Sequence, residues 1–351
     1  MINKKISIKD IAKITNTSIT TVSFVLNGKG RISKEITKKI LDAAAKNGYE
    51  PNRMAVGLRT GVSKVIGLVV ENIGGPFFGA MAKVIEEEAE KEGYRIIYCS
   101  TNNNLQKGKD VIRMLSQQLV DGYIITPFKG LEKEIQNLMA NEKPVILIDG
   151  YFPELNIPHV LVDNYGGAYN AIDCLVQSGY KKIGFITADL DLIQLADRMQ
   201  GYQEALKAHK IKEEKKMVLK IPFNMDREES VNTLKNFITQ HKQMDALFFT
   251  TNYLGTMGLQ SIKELGLDIP GDLAVVSFDD NEVFSLYPPG ITTIQQPTYE
   301  IAKSAIDLLL SQMSPDKYDI SKIKLKIPSK LIERGSTLAN KKQEKKPEKV
   351  L

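Results

Sequence analysis

The chain has 351 residues, 42% of them hydrophobic and 25% charged, with two cysteines and a formal net charge of +5. That length exceeds one ordinary domain and can bury a sizeable core. Cys99 and Cys174 are too few for a disulfide framework and neither sits in a metal-like pair, while no run approaches the roughly 20 apolar residues of a membrane span or the apolar stretch of a signal peptide. A protein neither exported nor membrane-embedded, held in a reducing cytoplasm, is the expectation. Charge is uneven: residues 1–64 hold 13 Lys or Arg against 4 Asp or Glu, residues 341–351 hold 5 against 2, and the stretch between carries a net −7. A polyanion is therefore drawn to the amino-terminal end.

In chain order, Ser7 to Asn27, SIKDIAKITNTSITTVSFVLN, reads as two short helices joined by a polar turn. Ile8, Ile11, Ala12 and Ile14 recur at helical spacing, Thr15-Asn16-Thr17 interrupts, and Val22, Val25 and Leu26 form a second period, which is a helix-turn-helix pattern. Ser18 is placed to cap the second helix, so that helix projects Ile19, Thr20, Thr21 and Ser23 from its leading turns toward base edges. Hydroxyls serve either base type and a Thr methyl can touch a thymine methyl, so these are permissive readers. Asn27, Arg31, Ser33 and the nearby Lys residues suit phosphates. A third helix is expected over SKEITKKILDAAAKNGY, with Ser33 as N-cap, Gly48 as stop, and Ile36, Ile40, Leu41 and Ala44 as its apolar stripe. Tyr49-Glu50-Pro51-Asn52 breaks it, and RMAVGLRTG is long enough only for one or two further turns, too few to hold as a free helix.

From Lys64 short β-rich runs alternate with amphipathic helical stretches. The runs are VIGLVV at 65, YRIIYC at 94, GYIIT at 122, PVILID at 144, HVLVD at 159, KIGFIT at 182, DALFFT at 245 and LAVVSF at 273, with helical patterns such as FFGAMAKVIEEEAEKEG and YGGAYNAIDCLVQSG between. Such alternation implies parallel sheets covered by helices on both faces, in two α/β subdomains.

These residues together resemble the lactose/galactose repressor (LacI-type) family of transcription regulators. The match is carried by DIAKITNTSITTVSFVLNG, by Gly48-Tyr49 followed by Pro51-Asn52-Arg53, and by Ala55 and Leu58 at set distances beyond; it extends to about Gly335. The resemblance implies further DNA contacts from Ser7, Ile8, Tyr49, Asn52 and Ala55. It casts Leu58 as an apolar wedge that enters the minor groove when two hinge helices pair across a dimer axis, at a cost of a few kcal/mol of unstacking. Two departures stand out. Many relatives carry Arg or His where this chain has Phe24, which cannot grip guanine with two hydrogen bonds and could equally pack inward. Val56 and Gly57 replace better helix formers, Gly at about 1 kcal/mol relative to Ala, so the hinge is expected to depend on DNA or effector to fold.

The implied architecture is a small all-α helix-turn-helix head followed by an α/β, two-lobed, periplasmic-binding-protein-like core with parallel sheets. The expected divisions are a DNA-binding domain at 1–48, a hinge and linker at 49–63, an effector-binding and dimerisation core at 64–337, and a disordered charged tail at 338–351. Within the core, lobe 1 spans about 64–162 and 293–324, and lobe 2 about 163–292 and 325–337.

In open α/β sheets the loops at the carboxyl ends of strands converge on the ligand. That rule nominates Asn72, Phe77 and Phe78 after the first run, Asp149 after the fourth, Asn252 after FFTT and Asp279 after VVSF, with Arg198 opening the helix RMQGYQEAL. Carboxylates and Asn bridge vicinal hydroxyls, Arg donates in a fork, and aromatic rings cover the apolar face of a sugar. The resemblance supports Arg198, Asn252 and Asp279 most strongly. Asp163 and Asp280 read as helix caps or turn holders. His159, His209 and His241 show no partner spacing for a metal or nucleophile, and Gly74-Gly75 lacks either phosphate-loop pattern, so no catalytic residue, metal or cofactor is expected. The expectation is a homodimeric repressor of palindromic double-stranded operator DNA under allosteric control by a small carbohydrate effector. The alternatives are a sugar-binding receptor without DNA function and a regulator controlled by a protein partner.

Overall fold

Each helix of the amino-terminal unit is announced by its cap. The computed structural model describes residues 6–28, 30–49, 61–314 and 322–338, and the chain divides into two compact units between Ser63 and Lys64. In the first unit, α1 (Ile8–Thr15) starts from a capping box in which Ser7 and Asp10 satisfy each other's backbone N–H. Asn16 turns the chain in the left-handed region at φ 53°, and the Ser18 hydroxyl accepts from the Thr21 N–H at 3.0 Å to open α2 (Ile19–Leu26). Ser33 opens α3 (Lys34–Lys46) in the same way. Ile11, Val22 and Ile40 are fully buried where the three helices meet. Each contributes about 1.5–3 kcal/mol and each cap about 1 kcal/mol more, so this small unit depends on both. Three residues of the expected stripes lie outside that core: Ile14, Ile36 and Leu41 are exposed, because they sit at the flank of an apolar face that three helices already close.

The second unit contains two six-stranded sheets. The first has the order β11-β5-β4-β3-β1-β2, all parallel, from β1 (Val65–Val70), β2 (Arg95–Ser100), β3 (Gly122–Ile125), β4 (Val145–Ile148), β5 (His159–Val162) and β11 (Lys324–Ile327). The second has the order β12-β10-β9-β8-β6-β7, from β6 (Ile183–Asp189), β7 (Val218–Pro222), β8 (Ala246–Phe249), β9 (Ala274–Phe278), β10 (Thr292–Gln295) and β12 (Lys330–Ile332). Only β12 runs antiparallel to its neighbour. β3, β4, β8 and β9 are buried throughout, as parallel strands covered on both faces must be.

On the first sheet α4 (Pro76–Lys91) and α12 (Thr298–Met313) cover one face, while α5 (Leu105–Gln117) and α6 (Glu132–Ala140) cover the other. On the second, α7 (Asn164–Gln177) and α8 (Ile193–Ala208) oppose α9 (Arg227–Gln240), α10 (Asn252–Glu264) and the short α11 (Glu282–Leu286). At Gly201 the α7 and α8 backbones approach so closely that an added Cβ would overlap the Tyr165 carbonyl oxygen and stand 3.0 Å from the Ala168 Cβ. Neither neighbour is a flexible side-chain end, so Gly201→Ala is expected to destabilise the core by about 1–3 kcal/mol or more, read as a lowered urea midpoint with unchanged slope.

β10 pairs with β9 and β11 with β5, so the chain passes between sheets after Gln295 and after Ile327, a few residues beyond the approximate lobe bounds at 292/293 and 324/325. Tail residues 339–351 and hinge residues 50–60 fall outside the described residues, and the expected order of each with them. Among the described residues no helix is long and apolar enough to cross a membrane.

Candidate nucleic-acid interface and interlobe cleft

A helix turns 100° per residue, so Val22 and Leu26, four apart, face one way and Thr20 and Phe24, also four apart, face the other. Val22 is buried in the head core, and Thr20 and Phe24 are exposed, Phe24 at 43%. Ile19, in the first turn, is 45% exposed. Ser23 differs from expectation. It is 8% exposed, and the Asn27 side-chain amide donates to its carbonyl at 2.6 Å and to its hydroxyl at 3.3 Å. The residue that faces out beside Thr20 is Phe24, which the i, i+4 spacing with Thr20 could have revealed. Thr21 is half-buried, with its hydroxyl 2.8 Å from that of Ser18.

Around this face, Ser7, Arg31 and Ser33 are exposed, and Ile8 and Tyr49 are half-buried against the head core. Burial raises the Tyr49 hydroxyl above its ordinary value. Asn52, Ala55 and Leu58 lie outside the described residues.

In the second unit, all seven residues nominated from strand ends line one cavity of about 380 Å³. Asn72 and Asp149 follow β1 and β4, and Phe77 and Phe78 occupy the first turn of α4 with ring centroids 5.0 Å apart. Asp279 follows β9, Asn252 begins α10, and Arg198 comes from α8. That helix begins at Ile193, so Arg198 stands mid-helix rather than opening it. Both Asp149 and Asp279 adopt positive φ, 64° and 66°, a cost of order 1–3 kcal/mol for a non-glycine residue that holds both carboxylates at their strand ends.

Arg198 is only 3% exposed. Its Nε donates to Asn164 Oδ1 at 2.9 Å, another guanidinium nitrogen donates to the Thr250 carbonyl, and the plane lies 3.6 Å from the centroid of the Phe278 ring. Asp279 accepts from the Asn252 N–H at 3.2 Å and from the Gln296 amide. Gln194 donates across the cleft to Asp149 at 3.2 Å.

Glu71, Gln194, Tyr253 and Gln296 also line the cavity and were not nominated. Glu71 directly follows β1 as Asp149 follows β4, a signal present in the sequence; Gln296 follows β10, whose strand character was missed. Burial, reinforced by Asp149 and Asp279, pushes Glu71 up to about 7. Burial likewise pushes Asp149 up to about 6, against the pull of the Arg198 guanidinium. Excess carboxylate, one buried guanidinium and aromatic rings from Phe77, Phe78, Phe223 and Tyr253 suit a ring that donates many hydrogen bonds and stacks one face.

Asp163 and Asp280 have structural partners. Asp163 caps α7 through the Gly166 N–H at 3.1 Å and pairs with Lys326 at 2.8 Å, and Asp280 receives both guanidinium nitrogens of Arg334 at 2.9 and 2.8 Å. Each His has a partner as well: His159 meets the Ile157 carbonyl, His209 meets Asp173, and His241 meets the Phe237 carbonyl. Among the described residues no three His, Cys, Asp or Glu lie together as a metal site.

Residues 7–52 match the bacterial regulatory proteins of the lacI family, and residues 172–337 match the periplasmic binding protein-like domain. The chain is 30% identical over 331 residues to a ribose operon repressor of Halalkalibacterium halodurans, covering 94% of this chain and 97% of that one. Its fold is similar to that of the lac repressor dimer bound to operator and an anti-inducer, with TM-score 0.82 and 22% identity over 96% of this chain and 100% of that one. It is also similar to a periplasmic binding protein/LacI transcriptional regulator of Alkaliphilus metalliredigens complexed with D-xylulofuranose, with TM-score 0.68 and 29% identity over 78% of this chain and 99% of that one.

Proposed function

Because the chain belongs to the lacI family of bacterial regulatory proteins and is therefore a DNA-binding transcription regulator, we propose that it is a cytoplasmic, non-enzymatic homodimeric repressor of a palindromic operator, controlled by a carbohydrate in the interlobe cleft. The observation that carries the ligand half is convergence: Asn72, Phe77, Phe78 and Asp149 from the first sheet's loops and Arg198, Asn252 and Asp279 from the second's line the same cavity. The carboxylates and Asn252 accept or bridge vicinal hydroxyls, Arg198 donates, and the Phe pair covers the apolar ring face. The names of the ribose operon repressor and of the D-xylulofuranose complex make pentoses the first members of a test panel.

A ligand held by both lobes favours one closure of the cleft, and closure alters the spacing of the two DNA-binding heads in the dimer. Coupling is reciprocal, so operator must change sugar affinity by the factor with which sugar changes operator affinity. The test is calorimetry of a pentose and hexose panel with and without an operator fragment selected from a random duplex pool. Equal sugar affinity in both conditions would remove the coupling, and no binding across the panel would remove the carbohydrate.

A further inference from the structure

We propose that α2 reads its operator through the 5-methyl groups of thymine, with Ile19 and Phe24 as the two readers. This rests on the DNA-binding function above and specifies what the head recognises. α2, ITTVSFVL, contains no Arg, Lys, Asn or Gln, the side chains that grip guanine or adenine with paired hydrogen bonds. Its hydroxyls are largely committed. Ser18 and Thr21 bond to each other at 2.8 Å while Ser18 also caps the helix, and Ser23 is buried under Asn27. Thr20 is exposed, one polar residue on a face otherwise presented by Ile19 and Phe24.

Both large apolar side chains point away from the head core at 45% and 43% exposure. Phe24 is also seated. Gly30, at φ 84°, lies beside the ring so closely that an added Cβ would stand 3.1 Å from the Phe24 Cδ2. Five residues of helix span about 7.5 Å, so Ile19 and Phe24 fall within one half-site. In the major groove the thymine C5-methyl is the apolar feature that distinguishes one base from another. Lys and Arg elsewhere in the basic amino-terminal region, net +9 over residues 1–64, supply phosphate attraction without sequence information. Within α2, discrimination is left to the apolar pair and Thr20.

The test uses the full chain and a duplex enriched from a random pool. Thymines in each half-site are replaced one at a time by deoxyuridine, which removes the methyl and keeps the hydrogen-bonding edge. At two positions per half-site, affinity is expected to fall about fourfold per methyl, the worth of burying one CH₂-sized group. In Phe24→Ala one of those positions becomes insensitive to the methyl, and in Ile19→Ala the other does. The DNA change leaves the protein fold untouched, so a misfolded variant does not blunt the result. An enriched duplex whose deoxyuridine forms all bind as tightly as the parent overturns the thymine reading alone. Failure to enrich any sequence overturns both this inference and the operator function it rests on.

Discussion

Arg198→Met is expected to weaken carbohydrate binding in the cleft roughly a hundredfold and to leave operator affinity unresponsive to sugar. The side chain is the cleft's buried cation, and its loss removes a charged donor worth about 1.5–3 kcal/mol to a bound hydroxyl, with each 1.4 kcal/mol a factor of about ten. The variant also strands two acceptors. Asn164 Oδ1 and the Thr250 carbonyl lose their donor, at about 1–3 kcal/mol for each buried group left unsatisfied. Met fills similar volume, so the fall in melting temperature reports the polar loss rather than a cavity. Arg198→Lys keeps the charge without the fork and is expected to recover more stability than sugar affinity. Isothermal calorimetry and thermal unfolding of both variants separate the two roles, and unchanged sugar affinity in Arg198→Met would strike Arg198 from the site.

Acidity is expected to move ligand affinity and stability in opposite directions. Glu71 and Asp149 sit at about 7 and about 6 in the folded core, above the usual values of 4.5 and 3.8. The folded state therefore holds protons that the unfolded chain has released. The stability these groups contribute is present at low pH and lost as pH rises through about 6 and then about 7. Between pH 5 and 8 the ligand-free core should lose on the order of a few kcal/mol from this pair. A sugar that donates hydroxyls to the ionised carboxylates binds the deprotonated cleft better, so its affinity rises over the same interval. Calorimetry in buffers of different ionisation enthalpy should register protons released on binding, and Glu71→Gln should flatten the step near pH 7. Sugar affinity that is level from pH 5 to 8 would mean the carboxyls do not meet the ligand.

How much of this was legible depended on whether a residue's role is set locally. Ser18 and Ser33 cap helices because a hydroxyl before an apolar period has few other uses, and both were readable from the chain alone. The strands that are apolar throughout, such as VILI and ALFF, were readable for the same reason. β7, β10, β11 and β12 were not, since strands such as KLKI and TTIQ are partly polar and stabilised by neighbours far along the chain. In the cleft, strand-end position found Asn72, Asp149 and Asp279. It missed Glu71, which stands one residue closer to its strand than Asn72, and Gln296, whose strand had not been seen. Ser23, expected to face out, is buried, and Phe24, whose direction the sequence leaves open, faces out, because distance from the helix start does not fix rotation about the helix axis.

Only Pro328 and Ser329 separate β11 from β12, and those two strands complete different sheets. A ribosome that has released the chain through Gln295 has made five strands of each sheet and finished neither. Translation arrested anywhere from residue 300 to 323 thus leaves a raw edge on both halves at once, and the two edges are closed within nine residues of each other, from Lys324 to Ile332.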